Sequence, residues 1–334
     1  MGHATRCIPI VEELLANNAD VVLAGSGNSL DLISAEFPLL RTLNLPDYNL
    51  QFNHFIPIGI HVALQSLKIR RNINREKIVL ENFLATQKIN GIISDNRYGV
   101  YSSSVPSVMI SHQLKLAPRT PFRAIANNQI KKYLNRFSEI WVPDENGSII
   151  SGKLSSTDEF LNKKYIGTLS RFKTTSNTIR KNFVLAIISG TEPHRTTLEN
   201  RLIKSFRSSN QKITLLRGLP KSADKKVFPK NFTVYNHLKT DELETLLKTC
   251  KLVISRSGYS TIMDIISTNT PCILIPTKGQ SEQEYLSKRL HEKFKFPVIR
   301  ERKISEDKFQ LAQRIDIKNE NLLSIEIGKW LNQL

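Results

Sequence analysis

One turn of the sequence contains the kinds of residue that bind phosphate groups. In the segment VISRSGYSTIMD, residues 253–264, an apolar run ends at Ser255 and a helical pattern follows Gly258. The N–H groups at the start of a helix attract anions, and small residues allow a phosphate to approach them closely. The pattern therefore predicts a diphosphate site at this turn. Its predicted binding residues are Arg256, Ser257, Gly258, Ser260 and Thr261.

Polar side chains that suit a hydroxyl-rich ligand follow the same turn. Asp264 lies further into the helix, where a carboxylate can accept hydrogen bonds from both hydroxyls of a ribose. The next apolar run ends at Pro276 and leads to amide and carboxylate side chains that suit sugar hydroxyls, namely Gln280, Glu282, Gln283 and Glu284. The alternative is that these are ordinary surface residues, because a glycine turn before a helix is a weak signal by itself.

Apolar runs typical of β-strands alternate with helical stretches, which predicts parallel sheets covered by helices. The predicted strands of the first half are 21–24, 91–94, 108–111 and 140–143, with a long basic helical stretch at 61–87. Those of the second half are 183–189, 213–216, 234–235, 252–255 and 272–275, with helices at 196–206, 241–249 and 261–268. Ligands of such folds bind at the carboxyl ends of the strands.

A polar, basic stretch rich in Ser and Thr lies between Gly167 and Asn182 and is typical of a linker. It predicts two Rossmann-like α/β domains, residues 1–170 and residues 180–334, joined near residue 175. A ligand would then bind in the crevice at the carboxyl ends of the strands.

Residues 253–290 resemble the donor-binding segment of the MurG-like, family 28 glycosyltransferases. In that family an Arg-Ser-Gly turn precedes an acid on the helix, a strand that ends in Pro and a Gln-rich stretch. The resemblance implies the GT-B fold, two Rossmann-like domains facing across a cleft, and a UDP-sugar donor. It places Asp264 on the ribose, 257–261 on the diphosphate, and Gln283 with Glu284 on the sugar. The family usually has two Gln at the last position, so the Gln283-Glu284 pair leaves the donor sugar open.

Three shorter segments resemble other parts of that family. SGTEPHR, residues 189–195, resembles its glycine-rich loop, which implies that Ser189, Gly190 and Thr191 face the phosphates. YIGTLSR, residues 165–171, resembles the end of its interdomain strand and implies Arg171 as a donor contact, the alternative being a linker arginine. GHATR resembles its N-terminal Gly-x-Gly-His loop. The full chain is similar to a group of bacterial glycosyltransferase-like proteins whose acceptor is unassigned.

Transfer to a hydroxyl needs a base, and the first half has three candidates, two implied by the resemblance and one by its position after a strand. His3 occupies the position of a catalytic or donor-positioning His, and His112 matches the family's acceptor-side loop in its His. Asp95 ends a predicted strand, so we expect it to point into the same crevice as Arg97. For His112 and Asp95 the alternative is ordinary loop polarity. His194 is expected to cap a helix, and the other histidines lack such a context: His54, His61, His237 and His291.

Charge and composition exclude several classes of protein. The net charge is +18; residues 1–150 carry 15 Lys and Arg against 12 Asp and Glu, and residues 151–334 carry 33 against 18. The basic half suits solvated surface, an anionic ligand or an anionic lipid surface, and no nucleic-acid-binding motif accompanies it. The three scattered cysteines, and the lack of any apolar run of ~20 residues, favour a cytoplasmic protein, peripheral at most at the inner face of the membrane.

We expect no metal and no cofactor. Asp95-Asn96 is not an Asp-x-Asp metal signature, and a helix start with nearby Lys and Arg can stabilise a diphosphate leaving group. The leading hypothesis is a metal-independent inverting glycosyltransferase that moves a hexosamine from a UDP-sugar to an unknown acceptor, soluble or lipid-linked. The alternatives are a UDP-sugar hydrolase of the same fold, a catalytically silent nucleotide-sugar-binding protein and, last, a nucleic-acid-binding protein.

The first residues, MGHATRCIPI, raise a separate question. A helical pattern begins almost at once, with Ile8, Val11 and Leu14 on one face. In the resembled family the Gly-His pair follows a first, central parallel strand, whereas here only Met1 precedes it. We therefore expect the natural chain to begin roughly 10–15 residues upstream, enough for one strand and its turn. The alternative is a degraded or non-catalytic relative whose sheet is open at a central position.

Overall fold

The structure is a computed structural model that describes residues 2–48, 65–118, 123–172, 179–219, 226–314, 317 and 322–334. The chain forms two compact units, divided after Arg171. The first contains the described parts of 1–171 together with 322–334, and the second those of 172–318. The predicted linker lies next to this division, whereas the last helix, predicted with the second domain, belongs to the first unit. His54, His61 and the first four residues of the predicted helix at 61–87 lie outside the described residues.

The elements of the first unit, in chain order, are α1 (Gly2–Ala16), β1 (Val22–Gly25), α2 (Gly27–Glu36), β2 (Arg41–Asn44), α3 (Ser66–Thr86), β3 (Ile92–Asp95), β4 (Ser107–Ile110), α4 (Arg123–Leu134), β5 (Glu139–Val142) and β6 (Lys163–Tyr165). Those of the second are β7 (Phe183–Ile187), α5 (His194–Phe206), β8 (Lys212–Leu216), β9 (Phe232–Tyr235), α6 (Thr240–Thr249), β10 (Leu252–Ser255), α7 (Tyr259–Ser267), β11 (Cys272–Leu274) and α8 (Ser281–Phe294), followed by α9 (Leu322–Leu331) of the first unit.

The first unit contains two parallel sheets among its described residues. One pairs β1 with β2, and the other has the order β3-β4-β5-β6. The run of β4 is buried at every position, as expected of a parallel strand covered on both faces. Met109, Leu134 and Ile140 form the centre of a core cluster between that sheet and α4. The edge of β1 away from β2 and the edge of β3 away from β4 pair with no described strand.

The C-terminal helix α9 contacts α1 and β5 of the first unit. The Ser324 hydroxyl donates a hydrogen bond to the Glu13 carboxylate of α1 at 2.6 Å. The ring of Trp330 stands edge-on to that of Trp141 in β5, with centroids 5.9 Å apart. An edge-to-face pair of large aromatic rings adds stabilisation beyond its buried area. The chain therefore returns to its first unit after completing the second.

The second unit is one parallel sheet of five strands in the order β11-β10-β7-β8-β9. All four residues of β10 are buried, and Val184, Ile213 and Ile254 contribute to one apolar cluster on the sheet. Phe206 at the end of α5 stacks on Phe309, with centroids 5.1 Å apart, and covers this cluster. The predicted α/β fold with parallel sheets is confirmed.

Two short strands were missing from the sequence-based expectation. β2 reads RTLN and β6 reads KKY, and both lie at sheet edges with largely exposed or half-buried residues. Edge strands are short and carry charge, which keeps them from pairing with other chains. Neither therefore shows the apolar run by which the central strands were predicted. The ends of the predicted strands lie within two residues of the observed ends.

A buried carboxylate fixes α3 against the loop that follows β3. Glu76 has no exposed side-chain surface and accepts hydrogen bonds from Arg97 at 2.6 Å, Tyr48 at 2.8 Å and the Gly99 N–H at 3.2 Å. Burial raises the pKa of Glu76 above its usual range, against the effect of these donors. Arg97, which we expected to share a crevice with Asp95, lines one cavity together with it, and its guanidinium donates to Glu76 and to the Ser26 hydroxyl.

We predict that Gly99→Ala destabilises the protein by about 1–3 kcal/mol, the usual cost of overpacking. A Cβ at this position would lie 2.2 Å from the Ile73 carbonyl oxygen and 2.7 Å from the Glu76 Cβ. Gly328→Ala is the matched control, because its Cβ meets nothing within 4 Å and alanine favours a helix interior. Urea denaturation should move the midpoint down for Gly99→Ala and leave it unchanged or raised for Gly328→Ala. Equal midpoints for the two variants would contradict the packing described.

Candidate functional site

A buried arginine connects the three residues predicted to move protons. Arg6 lies one turn after His3 on α1, and its side chain is 1% exposed. It donates to both carboxylate oxygens of Asp95, from Nε at 2.8 Å and from Nη2 at a shorter distance. Its Nη1 lies 2.9 Å from His112 Nδ1, and its Nη2 lies 2.9 Å from His3 Nδ1. The structure therefore brings His3, Asp95 and His112 together around a residue that the sequence analysis missed.

The sequence offered one signal for Arg6. Residues three apart on a helix lie on the same face, so a cation at this spacing from His3 stands beside it. Asp95 could not be placed there from sequence, because it is 92 residues away from His3 and reaches it only through the sheet. Asp95 ends β3, and α1 begins beside it.

His3 and Asp95 form a pair in which the role of His3 Nδ1, donor or acceptor, depends on which ring nitrogen carries the hydrogen. His3 Nδ1 lies 3.2 Å from Asp95 Oδ2, and the His3 side chain is 56% exposed whereas that of Asp95 is 6% exposed. With the hydrogen on Nδ1, the ring donates to Asp95 and presents Nε2 as an acceptor. With the hydrogen on Nε2, Nδ1 instead accepts from Arg6, which can only donate. The ring can therefore act as a base only in the first arrangement.

The charges around Asp95 decide which group can accept a proton. Burial alone would raise the pKa of Asp95, but Arg6 and then His3 hold the pKa well below its usual range. Asp95 is therefore ionised at neutral pH and is a poor proton acceptor. Burial, and then the negative charge of Asp95, raises the pKa of the neighbouring Cys7 thiol, whose Sγ lies 3.8 Å from Asp95 Oδ2. Cys7 is therefore a neutral thiol at neutral pH.

His112 is positioned differently from His3. It is 5% exposed, and its Nδ1 faces Arg6 Nη1, so this nitrogen accepts a hydrogen bond. The geometry suits a role in orienting Arg6. A direct role of His112 in catalysis stays a prediction.

In the second unit, the predicted phosphate-binding turns lie next to each other in the sheet. β10 pairs in parallel with β7, with Ser255 opposite Ile187. Both strands therefore lead into their helices at the same end of the sheet, the carboxyl end of the strands. Gly190 has φ +111° and Gly258 begins α7. A Cβ at either glycine would meet nothing within 4 Å, so a ligand can approach both backbones. Of the other predicted residues of the two turns, Ser257 is buried, whereas Ser189, Thr191, Ser260 and Thr261 are half-buried or exposed.

The buried side chain of Arg256 links the turn after β10 to the turn after β7. It is 1% exposed; Nη2 donates to the His194 carbonyl at 2.9 Å and pairs with Glu301 at 2.7 Å. Burial lowers the pKa of this guanidinium, against the effect of Glu301. His194 begins α5, so Arg256 fixes the start of one helix against the turn into the other. Its predicted contact with a ligand stays a prediction, and its observed contacts are within the protein.

The predicted sugar-binding stretch also has internal partners. The buried Gln283 accepts a hydrogen bond from the Thr277 N–H at 2.9 Å, and its carbonyl accepts one from the Ser257 hydroxyl at 3.0 Å. Glu284 is exposed and accepts from the Gly279 N–H at 2.9 Å. These bonds hold the loop after β11 against α8 and against the turn after β10. Gln280 precedes α8; it, Glu282 and Asp264 are half-buried, as is Arg171 near the end of the first unit.

A buried carboxylate and three cations lie beside the glycine-rich turn. Glu199 of α5 is 1% exposed and binds Arg195 at 2.9 Å, Arg217 at 2.8 Å and Lys226 at 2.6 Å. Burial acts to raise the pKa of Glu199, but these donors lower the pKa to about 2. Glu192 also pairs with Arg195, so three cations face two carboxylates and the cluster carries a net charge of +1. The sequence analysis missed it, because its members are spread over residues 192–226.

The chain is similar to known glycosyltransferases. Residues 189–324 match the glycosyltransferase family 28 C-terminal domain. An uncharacterized glycosyltransferase of Methanosarcina mazei is 23% identical over 304 residues, which cover 85% of this chain and 79% of the relative. MurG of Acinetobacter baumannii is similar at 12% identity and a TM-score of 0.52, over 99% of this chain and 91% of MurG. The chain is a glycosyltransferase that carries a family 28 C-terminal domain and has a MurG-like fold.

Further solved structures resemble this glycosyltransferase in fold. The glycotransferase of kitacinnamycin has a TM-score of 0.65 at 12% identity, over 93% of this chain and 86% of that one. The spinosyn rhamnosyltransferase SpnG, solved with thymidine diphosphate, has a TM-score of 0.61 at 12% identity, over 99% and 89%. At these identities the likeness shows the fold alone, and it confirms the predicted GT-B class with two Rossmann-like domains.

No helix within the described ranges is long and apolar enough to cross a membrane. The same residues contain no group of three or more His, Cys, Asp or Glu side chains arranged to hold a metal ion.

We predict that Asp95→Asn lowers the free energy of unfolding at pH 7 by about 3–5 kcal/mol, because it leaves Arg6 buried beside a neutral amide. The depressed pKa of Asp95 means that its ionised form stabilises the protein above its ordinary pKa of about 3.9. This stabilisation is lost as the pH falls below that value.

The difference between the wild type and Asp95→Asn should therefore shrink as unfolding is measured at pH 4 and below. Asp20→Asn is the matched control, since Asp20 is 81% exposed and its pair with Arg41 is worth less than about 1 kcal/mol. A deficit in Asp95→Asn that is equally large at pH 7 and pH 3 would contradict the buried ion pair.

Proposed function

We propose that this glycosyltransferase is an inverting, metal-independent enzyme that transfers a sugar of the hexosamine type from a UDP-sugar to an acceptor hydroxyl. The observation that carries the proposal is the His3–Asp95–Arg6 arrangement. An exposed imidazole, a buried carboxylate behind it and a cation that keeps this carboxylate ionised are the components of a positioned general base.

His3 is the base in this proposal. Its Nδ1–H donates to Asp95, its Nε2 takes the proton of the acceptor hydroxyl, and Asp95 stabilises the imidazolium that forms. The acceptor oxygen forms a bond to the anomeric carbon while the bond from that carbon to the diphosphate breaks, so the configuration inverts. Asp95 itself is the weaker candidate, because its lowered pKa gives it little affinity for a proton at neutral pH.

The donor is bound by the second unit. The diphosphate lies against the backbone of the turns at Gly190 and Gly258, where no side chain blocks it and where the starts of α5 and α7 favour negative charge. Asp264 accepts hydrogen bonds from the ribose hydroxyls. The amide of Gln283, oriented by the Thr277 N–H, and the carboxylate of Glu284 serve the sugar. Departing UDP is stabilised by the same helix starts and by the cations around Glu199.

A dTDP-sugar is the second candidate donor, because the structurally similar SpnG was solved with thymidine diphosphate. A thermal-shift screen against UDP-, dTDP- and GDP-sugars separates the donors, since a ligand that binds the native state raises the melting temperature. We expect the largest shift with a UDP-sugar. A larger shift with a dTDP-sugar would replace the proposed donor, and no shift with any nucleotide-sugar would overturn the function.

The partners follow from charge. The 33 basic against 18 acidic residues in 151–334 support attraction of an anionic nucleotide-sugar. We place the enzyme in the cytoplasm. Its remaining positive charge supports peripheral contact with the anionic inner face of the membrane, where it would meet a lipid-linked acceptor. Nucleic acid has no part in the proposal.

We predict that His3→Ala lowers turnover by about 10²–10⁴-fold, the usual contribution of a positioned base, while donor binding is retained. His237→Ala is the matched control, because His237 is exposed and lies in the second unit. Turnover is measured by UDP release from the UDP-sugar, with and without a cell extract as the source of acceptor. Release that needs no acceptor and yields free sugar would indicate the hydrolase, and full activity of His3→Ala would remove the base.

We predict that Asp264→Ala weakens binding of UDP and of the UDP-sugar alike by about 1–3 kcal/mol, the range for hydrogen bonds to a charged acceptor. The helix should persist, because alanine is the best helix former. Calorimetry measures both affinities, and Asp307→Ala, at an exposed carboxylate in the same unit, is the control. A loss for the sugar nucleotide without a loss for UDP would move Asp264 away from the ribose.

A further inference from the structure

A carboxylate of the protein itself lies at the start of α5. Glu192 stands two residues before the helix, and its carboxylate accepts a hydrogen bond from the Thr196 N–H at 3.2 Å. The same carboxylate pairs with Arg195 Nε at 2.5 Å. A helix-start N–H and a guanidinium are groups with which proteins bind phosphate. Glu192 therefore fills an anion-binding position with its own negative charge.

This position is next to the turn at which we place the donor's diphosphate. Gly190 is two residues before Glu192, and a Cβ at Gly190 would meet nothing within 4 Å. At the other helix start of the site, the first turn of α7 contains no acidic residue. A phosphate that approached α5 along the glycine turn would meet a carboxylate, and like charges at short distance repel each other. Only one of the two anions can occupy the start of α5.

The Glu192 carboxylate is charged, and it can leave the helix start at small cost. Burial acts to raise its pKa, but the hydrogen bonds from Arg195 and Thr196 lower the pKa below its usual value. It is therefore ionised at neutral pH. The Glu192 side chain is 54% exposed. Ion pairs open to solvent contribute little, roughly fivefold or less in an equilibrium constant, so the carboxylate can turn into water.

Arg195 would keep its place after Glu192 left. Its side chain is 8% exposed, its Nη1 donates to the buried Glu199 at 2.9 Å, and its Nη2 donates to the Thr196 hydroxyl at 2.6 Å. Glu199 is held in turn by Arg217 at 2.8 Å. Departure of Glu192 would thus leave Arg195 Nε and the Thr196 N–H as two donors in a fixed arrangement, open to the oxygens of a phosphate.

We propose that Glu192 is an internal competitor for the phosphate groups of the donor. In the free protein its carboxylate occupies the start of α5; a phosphate group displaces it and takes over the contacts with Arg195 Nε and the Thr196 N–H. The inference rests on the proposed function, which places the diphosphate at this turn. Its consequence is that Glu192 lowers the affinity for UDP and returns to the helix start as UDP leaves.

Glu192→Gln tests the competition, because an amide oxygen can still accept from the Thr196 N–H while the negative charge is removed. Glu292→Gln is the matched control. Glu292 lies in the last turn of α8, is 63% exposed and pairs with Lys288 at 3.6 Å. Each substitution therefore removes one negative charge from a side chain of similar exposure in the same unit.

The probes are UDP and inorganic pyrophosphate, and calorimetry measures their dissociation constants. We expect both to bind Glu192→Gln about threefold to tenfold more tightly than the wild type, the range for a charge at a helix terminus, and to bind Glu292→Gln like the wild type. By NMR, both probes should shift the Thr196 amide and Arg195 Nε–H resonances of the wild type. A role of Glu192 in capping alone would lower the melting temperature of Glu192→Gln without tightening either complex.

The outcomes separate this inference from the proposed function. Unchanged or weaker binding of both probes by Glu192→Gln would overturn the competition and leave the proposed function standing. Equal tightening in Glu192→Gln and Glu292→Gln would also overturn it, because the gain would reflect net charge alone. If pyrophosphate binds Glu192→Gln more tightly and UDP binds no form, the exchange at α5 stands and the proposed function fails. If neither probe binds any form, both are wrong.

Discussion

The ion pair between Arg6 and Asp95 is the interaction on which the first unit's candidate site depends. Both side chains are buried, and removing two charges from water costs several kcal/mol for each ion. The attraction between them compensates only with good geometry and with further hydrogen bonds, which two contacts to the carboxylate and one to His112 supply. Since Arg6 belongs to α1 and Asp95 ends β3, the pair also fixes the start of the helix. The exposed imidazole of His3 is thereby held against a carboxylate that stays ionised.

The second unit follows the same physical logic with a different result. Its buried arginine, Arg256, donates to the His194 carbonyl and pairs with Glu301, and its buried Gln283 binds the loop after β11. Charged and polar side chains near the turns therefore hold the turns in place. What remains open to a ligand is backbone, at Gly190 and Gly258. A diphosphate needs N–H groups and a favourable dipole more than it needs a particular side chain, so a rigid turn without Cβ atoms is a sufficient receptor.

The sequence predicted the central strands well because burial on both faces leaves an unbroken apolar run, as in the residues of β10. It failed at β2 and β6, whose edge positions permit polar residues. For the site, His3 and Asp95 were predicted singly, each as the residue at the end of an element. Their contact was beyond the sequence, because it depends on the relative positions of α1 and β3. Arg6 was overlooked although its spacing from His3 was visible.

The Glu76 and Glu199 clusters show a further limit of such prediction. Each is a carboxylate on a helix face that resembles a surface residue in the sequence, and each is buried by partners far along the chain. No local pattern distinguishes a Glu that will meet Arg217 from one that will meet water. Propensity and periodicity report which face is apolar, and they carry no information on which polar residue that face will enclose.

Asp95 connects the candidate site with a cavity of about 690 Å³ in the first unit. Its side chain binds Arg6 and His3, and the residue also lines that cavity. Helix α1 contributes to both as well, because His3 and Arg6 stand at its start while Val11 and Leu14 line the cavity. Since the proposed base must be held close to its working geometry, the packing of α1 against β3 and the precision of the site are coupled through these residues.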